Sequence, residues 1–334
     1  MRGHEIRLAG RPKGWPTADT FEHATVDLPP LEDGQVLVRN LFMSVDPYMR
    51  GRMNDVKSYV PPFQIGKALE GGAIGEVVES RSSDLAAGDV VQSMRGWRDQ
   101  FVAPAAELRK VDRRVQPLSS YLGVLGMPGL TAWVGLKLVD LKATDRVFVS
   151  AAAGAVGSIA GQLAKQRGCF VVGSAGSHDK VQLLTSEFGF DAAINYKTAA
   201  AEGGLRRQLA EAAPEGIDVY FDNVGGDHLE AALACMRDHG RIAACGSISR
   251  YNDETPSPGP RNMFLIVTRR LTIRGFIVVD HARELKAFLS EVAPLVHSGT
   301  IRVKETVVEG LANAPQAFID LLRGGNTGKM VVRL

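Results

Sequence analysis

The sequence lacks the features that mark membrane, exported and nucleic-acid-binding proteins. No apolar run approaches the roughly 20 residues that cross a bilayer. The opening stretch, MRGHEIRLAG, carries charges where a signal peptide has an apolar segment. The formal net charge is only +2, from 39 basic and 37 acidic residues, which leaves no broad basic surface. We therefore expect a cytoplasmic protein with no membrane or nucleic-acid partner.

Cysteine and histidine are also sparse, which argues against disulfides and metal sites. The three cysteines, Cys169, Cys235 and Cys245, show no CxxC spacing and lie in apolar stretches. Buried, reduced thiols are the usual state of such residues in the cytosol. The seven histidines are scattered without the spacing of metal ligands. We therefore expect no bound metal.

What the chain does have is length and two kinds of pattern. Its 334 residues, 45% apolar and 23% charged, predict about two ordinary globular domains. The first ~125 residues are rich in short alternating strands, which predicts a small, partly open β-barrel. Two turn-rich segments in this region, 44–51 and 57–63, contain aromatic residues and are typical of loops lining a cleft. The predicted strands are Gln35–Leu41, Gly72–Glu79 and Asp89–Ser93.

The segment Arg146–Lys180 predicts the first unit of a dinucleotide-binding fold. The apolar run 147–149 is typical of a buried strand, and a turn of small residues follows it. From Val156 onward, apolar residues recur at helical spacing until Gly168, after which 170–172 form a second strand. This order places the turn at a helix N-terminus, where unpaired N–H groups and the helix dipole attract a pyrophosphate.

Glycines in that turn favour cofactor binding. Gly154 would let the backbone approach the phosphates, and Gly157 would let the helix lie close to the strand. Ala152 occupies the first position of the usual G-x-G-x-x-G motif, so the motif is incomplete. Small residues at such a turn can also serve tight packing alone. The complete order of strand, turn, helix and strand favours the cofactor interpretation.

The second turn, Gly173–Lys180, favours NADP(H) over NAD(H). NAD-specific folds place an acid at the end of the second strand to bind the ribose 2′-hydroxyl, and none stands there. Asp179 comes later and is better placed to begin the next helix. Ser177 and Lys180 can instead bind a 2′-phosphate through a hydroxyl and a charge. The alternative is that Lys180 is a solvated helix residue.

Strands and helices continue to alternate after this unit, which predicts a doubly wound parallel sheet. Because ligands bind beyond the carboxyl ends of such strands, Asn223 and the segment Cys245–Tyr251 should face the same crevice as the glycine turn. Thr272–Val279 is predicted as the last strand, and its apolar edge favours pairing with a second copy in a homodimer. The tail from Ile301 is predicted to be strand, with 331–334 as the final edge. The other predicted elements are helices at 179–188, 205–213, 228–236 and 283–298, and strands at 192–195, 217–221 and 241–244.

Several motifs resemble those of the zinc-independent medium-chain dehydrogenase/reductases. They are SAAAGAVGS, FDNVGG, CGSIS-x-YN and the terminal G-x-N-x-GK. The most similar branch holds prostaglandin reductase/leukotriene hydroxydehydrogenase and curcumin reductase, and NLFMSVDPYMRGRM and YLGVLGMPGLTAW are especially similar to the curcumin reductase group. The resemblance implies an α/β protein with a GroES-like β-barrel catalytic domain at 1–125, a Rossmann NADP-binding domain at 126–298, and a return to the catalytic domain at 299–334.

The same resemblance implies an activity and a set of site residues. The activity is the NADPH-dependent reduction of the C=C bond of α,β-unsaturated ketones or aldehydes. Lys180 and Tyr196 would reach the ribose 2′-phosphate; Tyr196 and Asn326 are assigned by the resemblance alone. The pyrophosphate residues are Gly154, Ala155, Val156 and Gly157, and the residues lining the rest of the cofactor are Asn223, Cys245, Gly246, Ser247, Ile248, Tyr251, Phe276, Ile277, Val278 and Asn326.

Zinc-dependent relatives carry Cys and a Gly-His-Glu motif in the first domain, whereas the matching stretches here, SVDPYM and GKALEG, have neither Cys nor His. Without a Lewis acid, hydride transfer to the β-carbon of an enone is favoured because the carbonyl already withdraws electrons. Tyr59 and Tyr251 are candidate donors to the enolate, with Tyr48 and Arg50 behind them at the substrate. Each tyrosine can instead be a packing residue, and Arg50 a loop anchor. A quinone oxidoreductase and a non-enzymatic NADPH-binding protein remain as alternatives.

Overall fold

The computed structural model describes residues 1–199 and 201–334. The chain divides into two units, one of Met1–Gly123 together with Glu305–Leu334, and one of Val124–Lys304. Within the described part of the chain, no helix is long and apolar enough to cross a membrane. The strands are β1 (Arg2–Leu8), β2 (Phe21–Asp27), β3 (Gln35–Ser44), β4 (Ala73–Ser80), β5 (Val90–Ser93), β6 (Gln100–Pro104), β7 (Arg109–Lys110), β8 (Arg146–Val149), β9 (Phe170–Ala175), β10 (Ala192–Asn195), β11 (Ile217–Asp222), β12 (Met236–Ala244), β13 (Thr272–Gly275), β14 (Glu305–Glu309) and β15 (Lys329–Arg333). The helices are α1 (Tyr48–Arg52), α2 (Met127–Leu138), α3 (Ala155–Gln166), α4 (His178–Ser186), α5 (Leu205–Ala212), α6 (Gly226–Cys235), α7 (Leu265–Thr268), α8 (Leu285–His297) and α9 (Ala314–Leu322).

The first unit is built on a mainly antiparallel sheet in the order β14-β15-β3-β4-β5-β7, with β6 also paired to β3. The long strand β3 organises this sheet, because β4, β6 and β15 all pair with it. β1 and β2 form a separate antiparallel pair. Beneath the strands, Trp97 stacks on Phe21 at 5.9 Å between ring centroids, and Phe318 meets both rings edge-on. This strand-rich unit agrees with the β-barrel character predicted for the start of the chain.

Three features of the first unit correct the sequence predictions. The predicted loop 44–51 contains the start of α1, because Pro47 already has the helical φ of −59° just before it. The tail predicted to be strand contains α9, whose buried Ala317, Phe318 and Leu321 show the spacing of one helical face. The prediction of a final edge at 331–334 is also wrong: β15 lies inside the sheet, parallel to β14 and antiparallel to β3.

The second unit is a parallel six-stranded sheet in the order β10-β9-β8-β11-β12-β13. Its strand order reverses direction next to β8, which is the doubly wound arrangement of dinucleotide-binding folds. The central strands β8 and β11 are almost wholly buried, as continuous apolar runs in such a sheet should be. Phe148 and Tyr220 stack between them at 5.0 Å. The predicted α/β fold is confirmed.

The last strand of the second unit is shorter than predicted. Thr272–Val279 was expected from its apolar residues, but β13 ends at Gly275 because its partner β12 ends at Ala244, the residue paired with Gly275. Residues 278–284 form a 3-10 turn instead. All residues of β13 are exposed, including Ile273 at the open edge of the sheet.

Candidate active site

The candidate cofactor residues of the second unit gather at one edge of its sheet. All six strands run in the same direction, so the turns that follow them leave the sheet on the same side. The turn after β8 contains Gly154, and the turn after β9 contains Ser177. Asn223 and the segment 245–251 follow β11 and β12. The predicted meeting of these turns is thus present in the fold.

Where β8 leads into α3, the backbone leaves no room for a side chain at Gly157, in the first turn of α3, and little room at Gly154 just before it. A Cβ on Gly157 would lie 2.4 Å from the Ala151 carbonyl oxygen, and one on Gly154 would lie 3.1 Å from the same atom. Gly154 precedes α3 in an extended conformation, so the first N–H groups of the helix lack intrahelical partners. Closely packed backbone and free donors at the positive end of α3 fit a pyrophosphate.

The structure explains why Ala152 can stand where the glycine motif normally begins. Ala152 is fully buried, and its N–H donates to the Ser174 carbonyl oxygen at 2.9 Å. Its methyl group takes up the space beside Gly173 in β9, where an added Cβ would lie 2.8 Å from the Ala152 Cβ. The space for the Ala152 side chain is therefore supplied by Gly173 of the neighbouring strand β9. The backbone strain of the turn falls on Ala151, whose φ is +49°.

The turn after β9 concentrates positive charge at the start of α4. Ser177 caps this helix, with its Oγ accepting a hydrogen bond from the Lys180 N–H at 3.4 Å. Burial lowers the pKa of the half-buried Lys180 ammonium group, and the nearby charge of Lys197 lowers that pKa further. A phosphate dianion between such groups would relieve their repulsion. Tyr196 borders the same turn, since its Oη would meet a Cβ on Gly176 at 2.8 Å.

A buried polar network ties the ends of β8 and β11 together. Tyr220 Oη lies 3.0 Å from Ser150 Oγ and 2.7 Å from Asp222 Oδ1. Asp222 Oδ1 also accepts N–H bonds from the 224–225 turn, and Asn223 Nδ2 donates to the Ser150 carbonyl oxygen at 2.7 Å. Burial raises the pKa of Asp222, although these donors favour its carboxylate form. The sequence prediction missed Ser150 and Tyr220; the signal was polar residues within otherwise apolar buried strands.

The segment after β12 is held against the same network. The N–H groups of Cys245 and Gly246 both donate to the Asp222 carbonyl oxygen, at 2.9 and 3.0 Å. Tyr251 turns back on this segment, and its Oη accepts the Ser247 N–H at 3.4 Å. Burial, and then the charge of Asp222, raise the pKa of the Cys245 thiol to about 12, so it stays protonated near neutrality.

After β13, Phe276, Ile277 and Val278 are partly buried. The ring of Phe276 packs beside Gly135 of α2, where an added Cβ would lie 3.0 Å from its Cζ. The remaining predicted cofactor residue, Asn326, belongs to the first unit, where its Nδ2 donates to the Gly328 carbonyl oxygen at 2.7 Å.

Within the first unit, Tyr59 lies within electrostatic range of Tyr48. Tyr48 begins α1 and is half-buried, while Tyr59 is 58% exposed. Burial is the largest cause of the raised pKa of Tyr48, and the charge of Asp46 raises that pKa further. Tyr59 makes a smaller contribution in the same direction. The Tyr48 hydroxyl therefore remains a hydrogen-bond donor throughout the physiological range.

Arg50 lies on α1 as well, but its guanidinium group is engaged elsewhere in the first unit. The side chain is buried and donates to the Gly14 carbonyl oxygen at 2.7 Å and to Asn54 Oδ1 at 2.8 Å. A further bond reaches the Pro12 carbonyl oxygen. These contacts hold the 12–14 segment in the way that a loop anchor does.

Among residues 1–199 and 201–334, no group of three or more His, Cys, Asp or Glu side chains is arranged to hold a metal ion. Of the stretches compared above with those of zinc-dependent relatives, SVDPYM contains Asp46 and GKALEG contains Glu70. Asp46 pairs with Lys329, and Glu70 Oε2 accepts a bond from Arg52 at 2.7 Å. The charges of both acids are thus engaged by basic side chains.

Comparison with known proteins identifies the family. Residues 4–111 match the family described as N-terminal domain of oxidoreductase, and residues 155–293 match the family described as zinc-binding dehydrogenase. Prostaglandin reductase 1 of Bos taurus is 45% identical, over 96% of this chain and 95% of that protein. The chain belongs to the medium-chain dehydrogenase/reductases. Within that family it falls in the branch of the prostaglandin, 2-alkenal and curcumin reductases, as the motifs predicted.

Two further members of the family show how far the likeness extends. The NADP(+)-dependent 2-alkenal reductase of Nicotiana tabacum is 43% identical, over 98% of this chain and 96% of that protein. The crystal structure of CurA in complex with NADPH, from Vibrio vulnificus, superposes with a TM-score of 0.93 at 38% identity, covering 99% of this chain and 98% of that one. The similarity therefore includes both units.

Proposed function

We propose that this medium-chain dehydrogenase/reductase uses NADPH to reduce the carbon–carbon double bond of α,β-unsaturated ketones and aldehydes. The observation that carries the proposal is the match, above 40% identity over nearly the whole chain, to relatives named 2-alkenal reductase and prostaglandin reductase. NADP(H) is the cofactor, in agreement with the positive charge gathered at Lys180 and Lys197 and with the NADPH-bound relative.

The chain's own residues would divide the work of holding the cofactor. The turn of Gly154, Ala155, Val156 and Gly157 would bind the pyrophosphate through backbone N–H groups. Ser177, Lys180 and Tyr196 would bind the 2′-phosphate. When bound, NADPH supplies the hydride for the substrate β-carbon. The residues that would line the remaining length are Asn223, Cys245, Gly246, Ser247, Ile248, Tyr251, Phe276, Ile277, Val278 and Asn326.

The protein's chemical contribution would be to orient the substrate and to stabilise the enolate oxygen. Tyr59 and Tyr251 are the proposed catalytic donors, with Tyr48 as a substrate-binding residue. Phenol hydroxyls suit this role because they stay protonated at neutral pH and donate one hydrogen bond each. A side chain or water then delivers the proton to the α-carbon. Arg50 remains a proposed substrate residue, and it also anchors the 12–14 segment through its bonds to the Pro12 and Gly14 carbonyl oxygens.

The experiment is a steady-state assay of NADPH oxidation with benzylideneacetone as the enone, cinnamaldehyde as the enal, and a benzoquinone. We expect the saturated ketone and the saturated aldehyde as products. When the transferred hydrogen of NADPH is replaced by deuterium, the label should appear on the β-carbon of each product. Allylic alcohol as product would refute the proposal. Faster turnover of the quinone would favour the quinone oxidoreductase alternative, and tight NADPH binding without oxidation would favour a non-enzymatic role.

We also propose that the protein is a cytoplasmic homodimer. The edge strand β13 is exposed along its length, and an unpaired edge with Ile273 on it favours continuation of the sheet into a second copy. Light scattering should give a mass near twice 35.9 kDa. Ile273→Pro, which disrupts the edge strand because proline fits poorly in a strand, should lower that mass, whereas Val267→Pro in α7 serves as a control for local damage. A monomeric wild type would contradict the proposal.

A further inference from the structure

A buried lysine at the start of β15 takes no part in the chemistry described so far. Lys329 is 3% exposed, and it belongs to the terminal G-x-N-x-GK motif. Its Nζ donates to the Val45 carbonyl oxygen at 2.9 Å and also to the carbonyl oxygen of Met330. Asp46 Oδ1 lies 3.3 Å from the same nitrogen, and this carboxylate is buried too.

The two groups held by Lys329 lie immediately before α1. Ser44 Oγ donates to Asp46 Oδ2, and the Asp46 carbonyl oxygen accepts the Met49 N–H at 3.1 Å. Tyr48 is the first residue of α1. Lys329 thus contacts the backbone of Val45 and the side chain of Asp46, in the short connection between β3 and α1. Tyr48 begins α1 directly after this connection.

A second acid shares the neighbourhood of this lysine. Glu305 faces Lys329 across the β14–β15 pairing, and its Oε2 accepts a hydrogen bond from Ser119 Oγ at 2.6 Å. Its Oε1 is buried without a hydrogen-bond partner among the described residues. Burial raises the pKa of Glu305 and lowers that of Lys329.

Stability alone does not account for an ammonium group at this place. Taking a lysine and an aspartate out of water is costly, and well-packed apolar residues of similar volume often replace such pairs without loss. What an apolar side chain does not supply is a directed bond to the Val45 carbonyl oxygen combined with attraction for the Asp46 carboxylate. The pair therefore fixes geometry.

We propose that Lys329 is a positioning residue for the reduction: by holding Val45 and Asp46, it fixes the backbone that presents Tyr48 to the substrate. The inference rests on the proposed function. It adds that the first residue of β15 determines the geometry of the enone-binding segment, although Lys329 itself touches neither substrate nor cofactor. A displacement of about 1 Å in a group that positions the substrate can reduce the rate about a hundredfold. A residue that contacts only the backbone next to Tyr48 can therefore affect turnover.

The test uses the full-length protein with the ion pair neutralised, in the variant Lys329→Met/Asp46→Asn. Changing both partners removes the two charges of the pair together, and Glu305 keeps its hydrogen bond from Ser119, so folding is retained more readily than in Lys329→Met alone. We expect kcat/KM for benzylideneacetone to fall about tenfold or more, while the Kd for NADPH changes less than about twofold. The same pair of changes made in a Tyr48→Phe background should cost less than about threefold, because the hydroxyl to be positioned is already gone.

A matched control pair lies in the second unit. Lys165 Nζ donates to Asp191 Oδ2 at 2.8 Å and to the Cys169 carbonyl oxygen at 3.1 Å, so it too combines an ion pair with a carbonyl contact. Lys165→Met/Asp191→Asn should keep kcat/KM within about twofold of the wild type. Circular dichroism and the thermal midpoint report folding for every variant.

Equal losses in the wild-type and Tyr48→Phe backgrounds would overturn the role of Lys329, since the effect would not pass through Tyr48. Full activity of Tyr48→Phe, or of a folded Lys329→Met/Asp46→Asn variant, would overturn it as well. A wild-type protein that does not reduce benzylideneacetone would contradict the proposed function itself. An active wild type with additive losses would contradict only the positioning role.

Discussion

Replacing Lys180 by alanine should change the choice between NADPH and NADH. Lys180 stands in the first turn of α4, beside the Ser177 cap and close to the charge of Lys197. Its ammonium group is expected to meet the 2′-phosphate, a group that NADH lacks. The substitution removes one charge-assisted contact from the NADPH complex and none from the NADH complex.

The magnitude follows from the value of such a contact. A hydrogen bond to a charged group contributes about 1.5–3 kcal/mol, which is roughly a 10- to 150-fold change in Kd. Lys197 remains in Lys180→Ala and keeps part of the attraction, so we expect a Kd for NADPH about 10- to 50-fold weaker. The Kd for NADH should change less than about twofold. Because burial and Lys197 lower the pKa of Lys180, the preference for NADPH in the wild type should fade as the pH rises through that lowered value.

Fluorescence titration with both cofactors measures these constants, at low salt and at high salt. Salt should weaken NADPH binding to the wild type more than to Lys180→Ala, because screening acts on the charge that the variant lacks. Lys137→Ala is the control, since Lys137 is an exposed lysine that pairs with Glu284 in the same unit. Equal losses for NADPH and NADH, or an unchanged salt dependence, would refute the assignment of Lys180 to the 2′-phosphate.

Three further predictions concern stability and metal dependence. Burial lowers the pKa of His228 from 6.5 to about 4, so its contribution to stability is present above pH 6.5 and is lost as the pH falls towards 4. In urea unfolding, His228→Phe should lose about 3 kcal/mol less stability in acid than the wild type, and an identical pH dependence in both proteins would contradict this. Gly173→Ala should destabilise the fold by about 1–3 kcal/mol through crowding against Ala152 and Phe190, and Ala152→Gly in the same chain should restore part of that loss; a wild-type urea midpoint in the single variant would count against it. Prolonged treatment with a chelator should leave NADPH-dependent activity intact, and inhibition reversed by zinc would show that a metal is required.

Local patterns predicted the parts of the fold that depend on local physics. The apolar run 147–149 predicted β8, because a strand buried on both faces is apolar at every position. The spacing from Val156 to Ala164 predicted α3, because a helix buried on one face is apolar at every third or fourth position. The end of β13 was not readable in this way. Its apolar residues continue past Gly275, but pairing stops because β12 stops at Ala244.

In the candidate site, too, the features set by local sequence were predicted and those set by distant residues were not. The turn with Gly154 and Gly157 was predicted because tight turns demand glycine at particular positions. Lys329 and Val45 lie 284 positions apart in the sequence, and no local pattern predicts the hydrogen bond between them. The role of Gly173 was equally hidden, because it makes room for the methyl group of Ala152 in the turn after β8. The assignments of Tyr59, Tyr251 and the cofactor residues remain predictions for mutagenesis.

Protein synthesis delivers β15 after all the other described strands. The ribosome releases residues 124–304 before residues 329–333, so the second unit can complete its parallel sheet while the first still lacks an interior strand. Until then, Phe42–Ser44 of β3 has no β15 to pair with, and a nascent chain stalled at this stage exposes an open strand edge. A chain terminated at residue 328 would therefore lack an interior strand of the first unit, and β14 and β3 would each lose a pairing partner.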